Sequence, residues 1–151
     1  MAEPTPKKQL DGFIAKFEPK LAAEAAKVLA AMRKRLPGAL ELVYDNYNAL
    51  AVGFARSERA SDVVFSIAVY PKWISLFFFG GPKLKDPAKR LKGSGTRVRH
   101  IVLTDGAKTL AEPDVAALMA QALKLSPLDP KQKYRLIIKS ISAKQRPRRP
   151  A

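Results

Sequence analysis

Apolar residues recur first at a helical spacing and later at every second position. Leu10, Phe13, Ile14 and Phe17 follow the i, i+3, i+4, i+7 pattern of one helix face, which predicts a helix from Lys8. Leu21, Ala25, Val28, Leu29, Met32 and Leu36 carry an apolar stripe through a second helix. Pro19 stands near its start, where proline is tolerated, and Leu36-Pro37-Gly38 stops it. After Leu42 the period falls to two. Leu50, Val52 and Phe54 take one face of a strand, and Ala49, Ala51 and Gly53 the other. Val63 to Tyr70 and Lys72 to Gly80 read as two strong strands joined at Pro71-Lys72, a hairpin. In the second of them Ile74, Leu76 and Phe78 oppose Trp73, Phe77 and Phe79.

The segment from Gly80 to Gly95 reads as a loop, with Asp86-Pro87 fit to start one helical turn. "TRVRHIVLT" predicts a fourth strand, "EPDVAALMAQALKLS" an amphipathic helix, and "YRLIIKSIS" a fifth strand at a sheet edge or over the core. The expectation is α+β: one domain over residues 8–142, with about five mostly antiparallel strands. Two N-terminal helices and one C-terminal helix pack on the sheet. Residues 1–7 and the basic tail 143–151 are expected to be disordered, because they hold too few apolar side chains to fold alone.

Composition changes this picture in one respect. The 151 residues include 28 Lys and Arg against 13 acids, a formal net charge of +15. Residues 83–99 hold seven bases and one acid, and residues 131–151 hold eight bases and none, so the rest of the chain is nearly neutral. Such a field favours anionic partners, nucleic acid or a phosphorylated ligand first, although charge of this kind also serves plain solubility. The absence of cysteine excludes disulfides, thiolate metal sites and a cysteine nucleophile. It fits a cytoplasmic location. No apolar run approaches the roughly 18–20 residues of a membrane span, and the N-terminus lacks the apolar core of a signal peptide.

The stretch "LKGSGTRVRHI", Leu91 to Ile101, is the richest in candidate chemistry. It is not a Walker loop, because no Lys-Ser/Thr follows the second glycine, and not a dinucleotide loop, because the third glycine is missing and a strand follows. Lys92, Gly93, Ser94, Gly95, Arg97 and Arg99 fit a weaker reading, an anion-binding nest of backbone N–H groups ringed by bases. The competing reading is a tight turn in which Gly93 and Gly95 take positive φ. A second candidate is a small-ligand pocket formed by Tyr44, Asp45, Tyr47, Trp73 and His100. Against it, Asp45 and its Asn neighbours suit a turn, and His100 lacks a second histidine or cysteine to complete a metal set. The residues give no metal site, no cofactor loop and no nucleophile–base pair, so an enzyme is the least supported class. Tyr70, Trp73, Phe77 and Phe79 form an aromatic patch on the hairpin; such rings beside a basic loop can stack nucleobases, but a sheet core needs the same alternation, and core is the expectation for the phenylalanines. Trp73, beside the hairpin bend, is the aromatic expected to be exposed or at an oligomer interface, a homodimer being the simplest cover for a sheet apolar on both faces.

Four segments, "ELVYDNYNALAVGFA", "SIAVYPKWISLFFFGG", "LKGSGTRVRHI" and "LIIKSISAKQRPRRP", resemble the domain-of-unknown-function 1801 (YdhG-like) family. The resemblance runs roughly from Leu10 to Pro147 and implies a small α+β domain with an antiparallel sheet. It implies no established enzyme activity. One branch of that family is described as frataxin-like iron chaperones, which would need an acidic ridge of hard oxygen ligands. Here the first helices hold only Asp11, Glu18 and Glu24 among Lys7, Lys8, Lys16, Lys20 and Lys27, and no iron ligands carry over.

Overall fold

The computed structural model describes residues 4–150. Helices α1 (Pro6–Ile14) and α2 (Pro19–Arg35) precede strands β1 (Leu40–Asp45), β2 (Leu50–Ala55), β3 (Val63–Val69), β4 (Ile74–Phe79) and β5 (Val98–Val102). Helices α3 (Ala107–Leu110) and α4 (Pro113–Leu125) and strand β6 (Leu136–Ile141) complete the chain. The six strands form one sheet in the order β5-β4-β3-β2-β1-β6, antiparallel except where edge strand β6 runs parallel to β1. The fold is therefore α+β, as the periodicity predicts, with six strands in place of about five.

The additional strand is β1, which the sequence pattern leaves as a junction between helix and sheet. Its inward positions are Glu41, Val43 and Asp45, so two of the three core-facing side chains are acids. That erases the apolar alternation by which a strand is recognised. Gly38 makes the sharp entry to it. Its φ is +88°, and a Cβ there would stand 1.9 Å from the Asp129 carbonyl oxygen.

The helices cover one face of the sheet. Leu10, Ile14 and Phe17 join Val28, Leu29 and Met32 of α2 and Leu110, Val115 and Leu118 of the C-terminal helices in this core. They pack on Val52, Phe54, Phe65, Ile67, Leu76, Phe78 and Ile101, all buried. Phe65 and Phe78, directly paired across β3 and β4, meet edge to face at 5.5 Å. Each such side chain contributes roughly 1.5–3 kcal/mol by leaving water.

The other face carries no helix. Residues in register across strands share a face, so one continuous row there runs Lys92, His100, Phe77, Ser66, Gly53, Leu42 and Ile137. The next row is Val102, Ser75, Ala68, Ala51, Tyr44 and Ser140. Small residues thus floor the middle of this face, with aromatic side chains on β4 and β5.

The expected disordered ends are corrected in part. Thr5 caps α1 by accepting from the Lys8 N–H, so helix begins within residues 4–7; residues 1–3 and 151 lie outside the described residues. Residues 142–150 have no regular secondary structure but fold back on the β1–β2 turn, held by polar contacts that composition does not reveal.

Candidate nucleic-acid interface

The strand register sorts the loops to two ends of the sheet. One end carries the α1–α2 junction, the β1–β2 turn, the β3–β4 bend at Tyr70 to Trp73, and the C-terminal arm that follows β6. The opposite end carries the β2–β3 turn and the long basic loop between β4 and β5. Strands of six residues separate the two by about 20 Å.

At the arm end, Asp45 is fully buried and gathers the chain around it. Lys16 Nζ and Arg148 Nη2 each lie 2.9 Å from one of its carboxylate oxygens. Its backbone carbonyl accepts from the Ser142 N–H and from Gln145 Nε2. Arg148 is itself 5% exposed, donates to the Asn46 carbonyl at 2.6 Å and lies over the Phe17 ring. Burial pushes the Asp45 carboxyl up, but the donors Gln145, Lys16 and Arg148 more than offset it, and the group is held below the ordinary carboxylate range. Arg146 adds a backbone bond to Tyr47 and sets its guanidinium over the Tyr47 ring, and Arg149 Nε donates to the Lys16 carbonyl.

Between this pinned arm and the hairpin bend lies a cleft of about 830 Å³. Asn48, Tyr70, Lys72, Trp73, Arg146 and Arg149 line it together with three prolines, Pro71, Pro147 and Pro150. Trp73 stacks on Tyr70, rings 4.5 Å apart and 15° from parallel, and is still 44% exposed. Lys72, Arg146 and Arg149 are exposed and have no acid within ion-pair distance among the described residues. A flat aromatic surface and three open bases in one concave site can stack a planar ring and neutralise anionic oxygens.

The anion-binding loop is arranged otherwise. Lys92 exchanges both backbone hydrogen bonds with His100, at 2.8 and 3.0 Å, so the loop is fastened along β5. Gly93 takes the expected positive φ, +107°, whereas Gly95 does not. Arg99 turns one guanidinium nitrogen to the Gly95 and Val98 carbonyls, back toward its own loop. Arg90 is paired with Glu112, the residue before α4, and with Asp114 in its first turn. Ser94, Arg97 and the Lys92 side chain are exposed. Loop and arm therefore do not adjoin, because the sheet holds them at opposite ends.

The five residues of the proposed pocket are also separated. Asp45 points to the helix side and Tyr44 to the other, where its hydroxyl is buried without a hydrogen-bond partner and burial raises its pKa. Tyr47 is exposed in the β1–β2 turn. His100 lies mid-strand against Phe77, ring centroids 5.3 Å apart. Trp73 alone reaches the cleft. The sequence reading missed Tyr70, Lys72, Arg146 and Arg149 as a group. The signal available was the pairing of an aromatic dipeptide bend with a Pro/Arg-rich tail; what joins them is Asp45, whose partners lie 29 and 103 residues away. No group of His, Asp or Glu that could hold a metal ion occurs among the described residues, and no described helix is long and apolar enough to cross a membrane. No protein-family model, curated protein or solved structure matches the chain.

Proposed function

We propose that the protein is a non-enzymatic, cytoplasmic binding module that takes the phosphate backbone of a nucleic acid at the arm end of its sheet. We propose further that it is a YdhG-like protein, on the four segments quoted above. The observation that supports the functional reading best is the cleft itself: the Tyr70–Trp73 stack opens beside Lys72, Arg146 and Arg149. Bases without aromatics would suit any polyanion, and aromatics without bases would suit a core. Both together match how sequence-tolerant nucleic-acid binders divide their contacts between ring stacking and phosphate neutralisation.

The test is a salt titration of binding to a labelled single-stranded oligonucleotide. With about three phosphates neutralised, log Kobs should fall with log salt at a slope near −2, at about −0.7 per phosphate. Arg146→Ala with Arg149→Ala should flatten the slope to about −0.7. Trp73→Ala should weaken binding by about 1–3 kcal/mol and leave the slope in place. Binding that is unaffected by both changes would remove the reading.

A further inference from the structure

The cleft does not end at the hairpin. Tyr70 and Asn48 line both it and a second groove, of about 490 Å³, on the helix-free face of the sheet. Ala51, Ser66 and Ala68 form the floor of that groove, and Tyr47, Phe77 and Phe79 its walls. Trp73, just before β4, and then Ser75, Phe77 and Phe79 alternate onto this face from the arm end to the loop end; Ser75 is buried, and the rings are what the face presents. Phe79 is 42% exposed, as much as Trp73. His100 stacks beside Phe77, and Lys92 is the next residue in the same row. Lys92, exposed, flanks the path at the Phe77 row, and Arg97, also exposed, stands in the same loop just before β5.

The outward residues named along this path carry no acid. It has bases at the arm end and Lys92 beside its Phe77 row, about 13 Å from Trp73 by strand rise, with aromatic rings along it. A peptide strand would need an unpaired sheet edge, which this face does not offer. A duplex hides its bases inside the stack, whereas a single strand can present each base to a ring. We infer that a single-stranded nucleic acid lies along the outward side of β4. One end sits in the Trp73 cleft, its middle bases stack on Phe77, His100 and Phe79, and its far phosphate meets Lys92 and Arg97. This inference rests on the nucleic-acid reading of the cleft and adds to it the strandedness, the direction and the second anchor.

The experiment measures affinity of the full chain for labelled oligothymidylates and oligouridylates of about 2 to 8 nucleotides, the lower part of the size range of single-strand sites, and for a duplex. Affinity should climb with length and level off near the upper end, with the duplex weaker. Phe79→Ala, and separately Lys92→Ala with Arg97→Ala, should weaken the longest oligomer about tenfold and leave the shortest unchanged. The latter pair is at the surface, so folding is not at issue. Comparison of the two series tells RNA from DNA as the preferred strand, and a preference for either supports the path. If these variants bind the long oligomer as the unaltered chain does while Trp73→Ala does not, the cleft reading stands and the path is overturned. If Trp73→Ala and the Arg146/Arg149 variant also bind normally, both readings fall. A free chain that is dimeric in light scattering, and made monomeric by Phe79→Ala, would show a second copy on this face and overturn the inference.

Discussion

The C-terminal arm and the β4–β5 loop are the two basic regions of this chain, and they behave oppositely. The arm has no acid of its own, yet it is fixed in place by one that β1 buries, Asp45. The loop has bases in plenty, but Arg90 is satisfied by α4 and Arg99 by carbonyls of its own turn. In the arm a single buried arginine holds the segment down, and Arg146 and Arg149, which have no acid partner among the described residues, line a cleft. Charge counted along the sequence is the same kind of quantity in both places. What the folded charge can do depends on where a buried carboxylate stands.

The comparison breaks most readily at Asp45. Asp45→Ala leaves Arg148 in an apolar setting beside Phe17 and should cost about 3–5 kcal/mol in urea unfolding. Limited proteolysis should then cut within 142–150 before any other site. The carboxyl's folded pKa lies below its unfolded value of about 3.9. Its contribution is therefore present above that value and disappears as pH falls through the folded one. An arm that stays protected in Asp45→Ala would contradict the account.

The second buried carboxylate, Glu41, sharpens it. Arg33 and the Tyr134 hydroxyl both donate to Glu41, the latter at 2.9 Å. Burial first, and then the charge and hydrogen bond of Glu41, push the Tyr134 phenol up to about 12. The folded state thus holds this proton more tightly than the unfolded chain, whose tyrosine titrates near 10. Stability should be intact below pH of about 10 and decline toward about 12. Tyr134 is 48% exposed, so Tyr134→Phe should lose only about 0.5–1.5 kcal/mol at neutral pH and flatten that alkaline decline.

Two smaller effects complete the series. Tyr44→Phe removes a buried hydroxyl that has no partner, so thermal unfolding should show a gain of up to about 1 kcal/mol. Lys92→Ala with Arg97→Ala, in the loop, should move stability by no more than about 0.5 kcal/mol. A loss as large as that of Asp45→Ala would mean that the loop, too, is pinned.

How much of this was legible beforehand follows from what each residue faces. Helices α1, α2 and α4 and strands β2 to β5 carry their periodicity openly, because each has one apolar side. The alternation of Trp73, Phe77 and Phe79 against Ile74, Leu76 and Phe78 was readable too, but not which row faced out: core was the expectation for the phenylalanines, and Phe79 is exposed. Strand β1 was not readable, because Glu41 and Asp45 take core positions and a buried acid looks like surface in a sequence. Asp45 also conceals the site. Arg148 reads as one more charge in a low-complexity tail until its partner, 103 positions away, is known to be buried. The glycine loop is a different case: "KGSG" with its arginines has the composition of an anion nest, and of its bases Arg99 bonds to its own loop's backbone while Lys92 and Arg97 are exposed.

The measurement that tests the central claim most directly is oligonucleotide binding by Asp45→Asn, followed through the fluorescence of Trp73, the chain's single tryptophan, at a temperature where circular dichroism shows the domain folded. This change makes the protein more positive by one charge. It also releases Arg148 and with it the wall of the cleft. A built site predicts that quenching by the oligonucleotide is lost and that affinity falls although net charge has risen. Affinity that is unchanged or higher would mean that diffuse charge alone binds the partner, and would contradict the account.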